Sequence, residues 1–234
     1  MRILSWDIEA SGLNADYAVV LCVGHKIVGE GKEKVISIDD YEGTTILQRE
    51  KAMLKDVTKI LMDCDCWLTW FGTFYDVPFV NTRLLYHNLP VIPSAHAHID
   101  GWRTARNRLK LRNNRLITVQ EFLGTETEKN AILGPKWILA VSGNRAAQKY
   151  VVEHCRRDVK ALEEVYQKLR PLIIDHPYEE RGDCTVCGSN RLEARGFHRT
   201  VTNKYQRYQC KDCGRWSRDA KPLMRKPRIK PRAL

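Results

Sequence analysis

The sequence predicts an α/β fold, a mixed sheet flanked by helices, followed by a small metal-stapled module. Three observations carry that prediction. Apolar runs of strand length fill residues 2–39 and 66–71, with a helical run at 46–62 between them. Three strands, a helix, a strand and a further helix are the opening of an α/β sheet. Two Cys-x-x-Cys pairs then stand near the C-terminal end, with 22 residues between them.

Composition sets the limits. A chain of 234 residues has room for one full domain and a small module. An apolar fraction of 43% supports a packed core and argues against global disorder. No run of about 18 apolar residues is present, so no membrane-spanning helix is expected. Asp7 and Glu9 stand where a secretion signal would need its apolar stretch. The expected compartment is therefore intracellular and reducing, the cytoplasm, and the eight cysteines are expected to be thiols or metal ligands. The net charge of +11 is unevenly placed. Residues 181–234 hold 15 Lys/Arg against 4 Asp/Glu, whereas residues 1–180 hold 24 of each. A neutral body with a basic, polyanion-binding appendage fits that split.

The first strand is read in Arg2–Leu13, a short apolar run that ends in Ser, Gly and Asn. Asp7 and Glu9 are two residues apart, so both project from one face of the sheet. Two carboxylates together on a core strand repel and lose solvation. A divalent cation compensates them most simply, and oxygen ligands suit Mg²⁺ or Mn²⁺. The plain alternative is one acid capping a loop while the other stays solvated. Tyr17–Gly24, continued by Lys26–Gly29, and Lys34–Asp39 give the second and third strands, an antiparallel meander. Ile46–Met62 has helical spacing, and Cys66–Phe71 follows as a fourth strand, parallel to its neighbour after a right-handed crossover.

Asp76 precedes Val77-Pro78, and Pro favours the first turn of a helix. Asp76 is thus expected just beyond a strand's C-terminal end, where ligands of open α/β sheets bind. A plain helix cap is the competing reading. Ile99-Asp100 starts a segment that turns helical, with two short helices over 103–123. The first carries Arg103, Arg106 and Arg108, and Lys110, Arg112 and Arg115 follow; a solvated basic face is the default for such a run. Ala146–Leu169 is the longest helix, and its apolar stripe leaves His154 and Asp158 one turn apart on one face.

Asp-Ile-Glu on the first strand, an Asp opening the helix after the fourth, and a last helix containing His-Cys-Arg-Arg-Asp-Val resemble the DEDD 3′–5′ exonuclease superfamily. The nearest likeness is to the branch holding the proofreading domain of family B DNA polymerases. It covers roughly residues 1–170 and includes Phe74-Tyr-Asp-Val-Pro-Phe79 and Leu109–Leu116. The resemblance implies a ribonuclease H-like sheet, with Asp7, Glu9, Asp76 and Asp158 holding two Mg²⁺ or Mn²⁺ ions. Two positions depart from the branch. Its usual Tyr four residues before the last Asp is His154 here, and the polar residue often found before Gly72 is Phe71. The chemistry suits the residues: two divalent ions about 3.5–4 Å apart neutralise both oxygens of a phosphodiester displacement. A histidine with an ordinary pKa of about 6.5 can accept the water's proton near neutral pH, which assigns that task to His154.

Residues 171–183, with two prolines and a glycine, are read as a linker, and 184–220 as the module. Cys184, Cys187, Cys210 and Cys213 match a tetrahedral Cys₄ site for one structural Zn²⁺. So small a module needs the metal to fold. Lys204–Trp216 resembles the zinc ribbons of transposases and transcription factors. Basic residues with interleaved aromatics suit phosphates and unpaired bases, which singles out Arg199, Lys204, Arg207, Tyr208, Arg215 and Trp216 for nucleic-acid binding. Residues 221–234 are read as a flexible basic tail. The expectation is a metal-dependent 3′–5′ exonuclease acting on DNA, with a nucleic-acid-binding zinc ribbon. An RNA exonuclease, a structure-specific endonuclease and a nucleic-acid-binding adaptor are the alternatives.

Overall fold

A computed structural model describes residues 1–93, 95–127, 134–173, 176–177, 183–219 and 221–223. The chain divides into two compact units, Met1–Leu172 and Ile173–Leu234. Most of the expected linker and residues 224–234 of the expected tail lie outside the described residues. No helix among the described residues is long and apolar enough to cross a membrane.

The first unit is built on a five-stranded mixed sheet. Its first strands are β1 (Ile3–Ala10), β2 (Val20–Ile27) and β3 (Lys34–Ser37), and they form the antiparallel meander. α1 (Ile46–Met62) begins where Thr45 accepts the Gln48 amide, and β4 (Cys66–Thr69) returns parallel to β1. α2 (Asp76–Tyr86) leads to β5 (Ala97–Asp100), parallel to β4, giving the order β3-β2-β1-β4-β5. Residues 99–100 do lead into a helix, but they also end β5, a strand that the sequence reading lacks. Four residues with a histidine among them carry too little alternation to announce a strand. α3 (Gly101–Arg108), α4 (Leu116–Leu123), α5 (Gly134–Val141) and α6 (Arg145–Leu169) complete the unit, and α5 had no counterpart in the sequence reading.

The two faces of β1 have different jobs. Leu4, Trp6, Ile8 and Ala10 enter the core with Met53, Leu54 and Val57 of α1 and Phe79, Val80 and Leu84 of α2. The alternate residues face α6: Ser5 Oγ donates to the Val159 carbonyl at 3.4 Å, and the Cys155 thiol lies 3.6 Å from the Asp7 carbonyl. Gly24 of β2 sits opposite Asp7. A Cβ there would fall 2.8 Å from Val159 Cγ2 and 2.9 Å from Cys155 Sγ. Only glycine lets α6 come this close to the sheet.

A buried ion network joins the two helices on the other side. Glu50 of α1 is 0% exposed. It accepts from Arg83 Nε at 3.0 Å and Nη2 at 2.6 Å, from the Val20 amide at 2.9 Å, and lies 2.7 Å from His87 Nε2. Arg83 Nη1 also donates to the Ala15 carbonyl at 3.0 Å. These bonds tie α2 to the start of β2 and to the loop that follows β1.

The second unit holds an antiparallel sheet of β6 (Leu192–Arg199), β7 (Lys204–Cys210) and β8 (Trp216–Arg218). Between residues 183 and 223, Cys184 and Cys210 are the buried positions among the described residues. So thin a core cannot hold a fold by apolar burial alone.

Candidate active site

The parallel strands β1, β4 and β5 end on the same edge of the sheet, the position where open α/β folds collect their functional residues. Asp7 and Glu9 point from β1 toward α6, and α6 presents His154 and Asp158 one turn apart. A bulge at Glu9–Ala10 ends the regular pairing of β1 there. His154 Nε2 lies 3.8 Å from Glu9 Oε1 and 3.7 Å from Asp158 Oδ2. Glu9, His154 and Asp158 offer ligand atoms within 4.8 Å of one another, and so do Asp7, Glu9 and Cys155. Cys155 is a poor member of that set. Its hydrogen bond with Cys22, its burial and the nearby acids hold its thiol well above the ordinary value, so it stays protonated. What remains is a cluster of oxygen donors close enough to share divalent ions at about 2.1 Å, a donor set that fits Mg²⁺ or Mn²⁺.

Asp76 is the first residue of α2 and is 2% exposed. It does not cap its own helix from the N-cap position; Tyr75 stands there and makes no side-chain cap bond. Strand pairing between β1 and β4 stops at Ser5 and Leu68, and beyond it the Ile8 amide donates to Asp76 Oδ1 at 3.1 Å. Burial pushes the Asp76 carboxyl up to about 7 despite that donation. Burial, then Asp76, Glu9 and Asp7 in turn, push the Tyr75 phenol up to about 12. The three acids therefore act on one hydroxyl, although Asp76 belongs to neither of the two ligand groupings.

Sequence reasoning missed a further buried acid at this edge. Asp100 ends β5, caps α3 and is 6% exposed. Its Oδ1 accepts the amides of Phe71 at 3.0 Å and Trp102 at 3.1 Å, and its Oδ2 accepts that of Thr73 at 3.1 Å. One carboxylate thus fixes the loop after β4 against the start of α3. The sequence signal is a short side-chain acceptor, Asp100, at the entry to the helical segment read from residue 99 onward. Beside these residues opens a cleft of about 870 Å³. Asp7 and Asp158 line it, together with Phe71, Trp102, Arg106, Arg112 and Arg115. Three of the arginines first read as a solvated face thus border the acids, although Arg112 also pairs with Glu121 at 2.8 Å.

The second unit carries its own site. Cys184 Sγ lies 3.5 Å from Cys213 Sγ, and Cys187 Sγ lies 3.6 Å from Cys210 Sγ. A tetrahedron with metal–sulfur bonds of about 2.3 Å has edges of about 3.8 Å, so the four thiols fit a zinc ion. The backbone amides of Cys213 and Asp212 point at Cys210 and bring its thiol down to about 6, which favours the ligating thiolate.

The ribbon's six residues expected to bind nucleic acid do not form one surface. Side chains alternate along β7, and cross-strand partners share a face. Lys204 and Tyr208 lie on one face with Arg199, the partner of Lys204. Arg207 lies on the other with Tyr205, Arg218 and Trp216. Arg215 stands in the turn before β8. Each face stacks cations on rings: Lys204 Nζ lies 3.5 Å from the centre of Phe197 on the first. On the second, the guanidinium of Arg207 is 4.2 Å from Trp216 and that of Arg218 is 4.0 Å from Tyr205.

Residues 4–170 match the model of a family described as the RNase_H superfamily. No curated protein matches the chain. Among solved structures, the chain is similar to the family B DNA polymerase from the hyperthermophilic archaeon Pyrobaculum calidifontis, with a TM-score of 0.56 at 16% identity. The likeness covers 73% of this chain and 25% of the polymerase, so this chain spans about a quarter of its length. At that identity the likeness is one of fold.

Proposed function

Because the chain belongs to the RNase H superfamily, we propose that it is a 3′–5′ exonuclease acting on DNA with two divalent ions, and that its Cys₄ ribbon holds nucleic acid. The observation that carries this is the meeting of Asp7 and Glu9 from β1 with His154 and Asp158 from α6, beside a cleft bordered by arginines. Asp7, Glu9, Asp158 and the buried Asp76 would hold the ions. When bound, such ions stabilise charge on the phosphoryl oxygens and lower the pKa of the attacking water.

The chain's own residues do the rest. Arg106, Arg112 and Arg115 offset phosphate charge along the cleft. His154 takes the proton of the attacking water on Nε2, the nitrogen that stands 3.8 Å from Glu9 and 3.7 Å from Asp158 and so beside the acids that would hold the ions. The water's oxygen bonds to phosphorus, the bond to the O3′ of the preceding nucleotide breaks with its electron pair on O3′, that oxygen takes a proton from solvent while His154 gives its own back to solvent, and a nucleoside 5′-monophosphate leaves. Two flanking carboxylates explain how a histidine can serve where the resembling branch has tyrosine. The choice of DNA rests on the likeness to a DNA polymerase.

Linear and circular single strands of one sequence, incubated with Mn²⁺ or Mg²⁺, test this reading. Linear strands are expected to be degraded and circles spared, with activity lost in Asp158→Ala. Cut circles would replace the exonuclease with an endonuclease. An unimpaired Asp158→Ala protein would overturn the site.

A further inference from the structure

We propose that Tyr205, Arg207, Trp216 and Arg218 form the binding face of the ribbon, and that this face takes a single strand of DNA, with a phosphate between the two arginines and bases stacked beside them. The inference rests on the reading of the ribbon as a holder of nucleic acid, and commits to one of its two faces. Of the six ribbon residues expected from the sequence, Arg207 and Trp216 stand on it.

This face carries a repulsion that the ribbon does not resolve by itself. Arg207 of β7 and Arg218 of β8 are direct cross-strand partners. Such partners hold their Cβ atoms about 4.5–5.5 Å apart on one face, and like charges in that position destabilise the pair. The carboxylates of the ribbon's ion pairs are engaged elsewhere: Asp212 takes Arg191 at 2.6 Å, and Glu193 takes Arg195 at 2.8 Å and Lys211 at 3.9 Å. Among the described residues, no carboxylate pairs with Arg207 or Arg218. An anion between the two guanidiniums removes the repulsion, as a cation does for the paired acids of β1. Backbone carbonyls already steady both groups: Arg207 Nε donates to the Arg195 carbonyl at 3.1 Å and Arg218 Nη1 to the Asp219 carbonyl at 3.2 Å. The other nitrogens of each fork suit the oxygens of a phosphate.

The rings decide what kind of anion. Each guanidinium lies on an aromatic ring, Arg207 on Trp216 and Arg218 on Tyr205. Trp216 is 48% exposed, and the His198 ring continues the row with its centre 6.2 Å from that of Tyr205. Rings and guanidinium planes alike accept a stacked base. Cations that need a phosphate, side by side with flat surfaces that need a flat partner, complement a chain of phosphates joined to bases. In a duplex the bases already stack on one another, so these rings would find no partner; a single strand offers both groups. The opposite face suits it less. There the Tyr208 hydroxyl lies 3.5 Å from a carboxylate oxygen of Asp219, and a carboxylate repels a phosphate.

The test is fluorescence anisotropy of labelled single-stranded and blunt duplex DNA, titrated over a range of salt with zinc-loaded, full-length Asp7→Ala protein so that nothing is cut. Arg207→Gln and Arg218→Gln are each expected to weaken single-strand binding about tenfold and to lower the slope of log affinity against log salt by about 1. Trp216→Ala is expected to weaken it about tenfold with the slope unchanged, the mark of a lost stack. Lys211→Gln removes the same charge away from this face and should change affinity by less than about twofold. Zinc content of each variant shows that the ribbon is folded, and the arginine variants carry the test should Trp216→Ala release the metal. Losses in Arg199→Gln or Lys204→Gln in place of Arg207→Gln and Arg218→Gln would move the strand to the opposite face and overturn the inference. Tighter binding of the duplex, with the same dependence on Arg207, would overturn the single-strand assignment. No effect from any of these variants would end the reading of the ribbon as a holder of nucleic acid, and this inference with it. Hydrolysis by the protein with Asp7 intact reports on the exonuclease reading separately.

Discussion

Gly24→Ala tests how closely the two halves of the site depend on the approach of α6. The added methyl would lie 2.8 Å from Val159 Cγ2, 2.9 Å from Cys155 Sγ and 3.1 Å from the Cys155 carbonyl oxygen. Non-bonded carbon contacts sit near 3.5–4.0 Å, so the helix must retreat by about 0.7–1 Å or the strand must bend. Overpacking of this kind costs about 1–3 kcal/mol, against which alanine returns about 0.5–1 kcal/mol of backbone entropy. The net loss of stability should be about 1–2 kcal/mol. The catalytic loss should be larger, because Gly24 lies opposite Asp7 and the clashing residues flank His154 and Asp158 on α6. A displacement of about 1 Å can cost on the order of 100-fold in rate. Urea unfolding and hydrolysis rates on one preparation separate the two effects. Adding Val159→Ala removes the nearest clash and should recover part of both. Wild-type activity and stability in Gly24→Ala alone would refute the claim that this contact sets the site.

Three other outcomes follow from the packing. Asp100→Ala deprives four backbone amides, those of Phe71, Thr73, Trp102 and Arg103, of their acceptor; a lost cap and two part-buried bonds should lower unfolding free energy by about 2–3 kcal/mol, read by urea midpoint. Glu50→Ala leaves Arg83, 2% exposed, as a buried unpaired cation, and should destabilise the first unit by about 3–5 kcal/mol in the same measurement. Removing metal from the full chain with a strong chelator should release one zinc per chain and abolish the ribbon's protection from hydrogen exchange. Readdition should restore both, and Co²⁺ should give the intense visible absorption of a tetrahedral thiolate site.

The site was legible in the sequence where it depends on local period. Asp7 and Glu9 share a face because strands repeat every two residues, and His154 and Asp158 share one because helices repeat every 3.6. The Cys₄ cluster was legible because paired knuckles leave little other chemistry. Asp100 and Glu50 were not, because only tertiary packing distinguishes a polar residue at a helix start, or within an amphipathic helix, from a surface one. β5 was missed for its brevity and α5 for want of polar residues to mark a face. In the ribbon the strand limits are not legible from the sequence, and only they fix the alternation that divides Lys204 and Tyr208 from Arg207 and Trp216. Asp76 was open between a cap and a site residue; its bond crosses to Ile8 of β1, a contact 68 residues away.

The most direct measurement is a time course on 5′-labelled single-stranded DNA and RNA of equal sequence. It is run with Mn²⁺, with Mg²⁺ and with EDTA, beside Asp7→Ala. The account predicts a metal-dependent ladder that shortens from the 3′ end of the DNA and is absent in the variant. Tight binding of both strands with no cleavage of either under any metal would contradict it, and would leave the four acids without the reaction assigned to them.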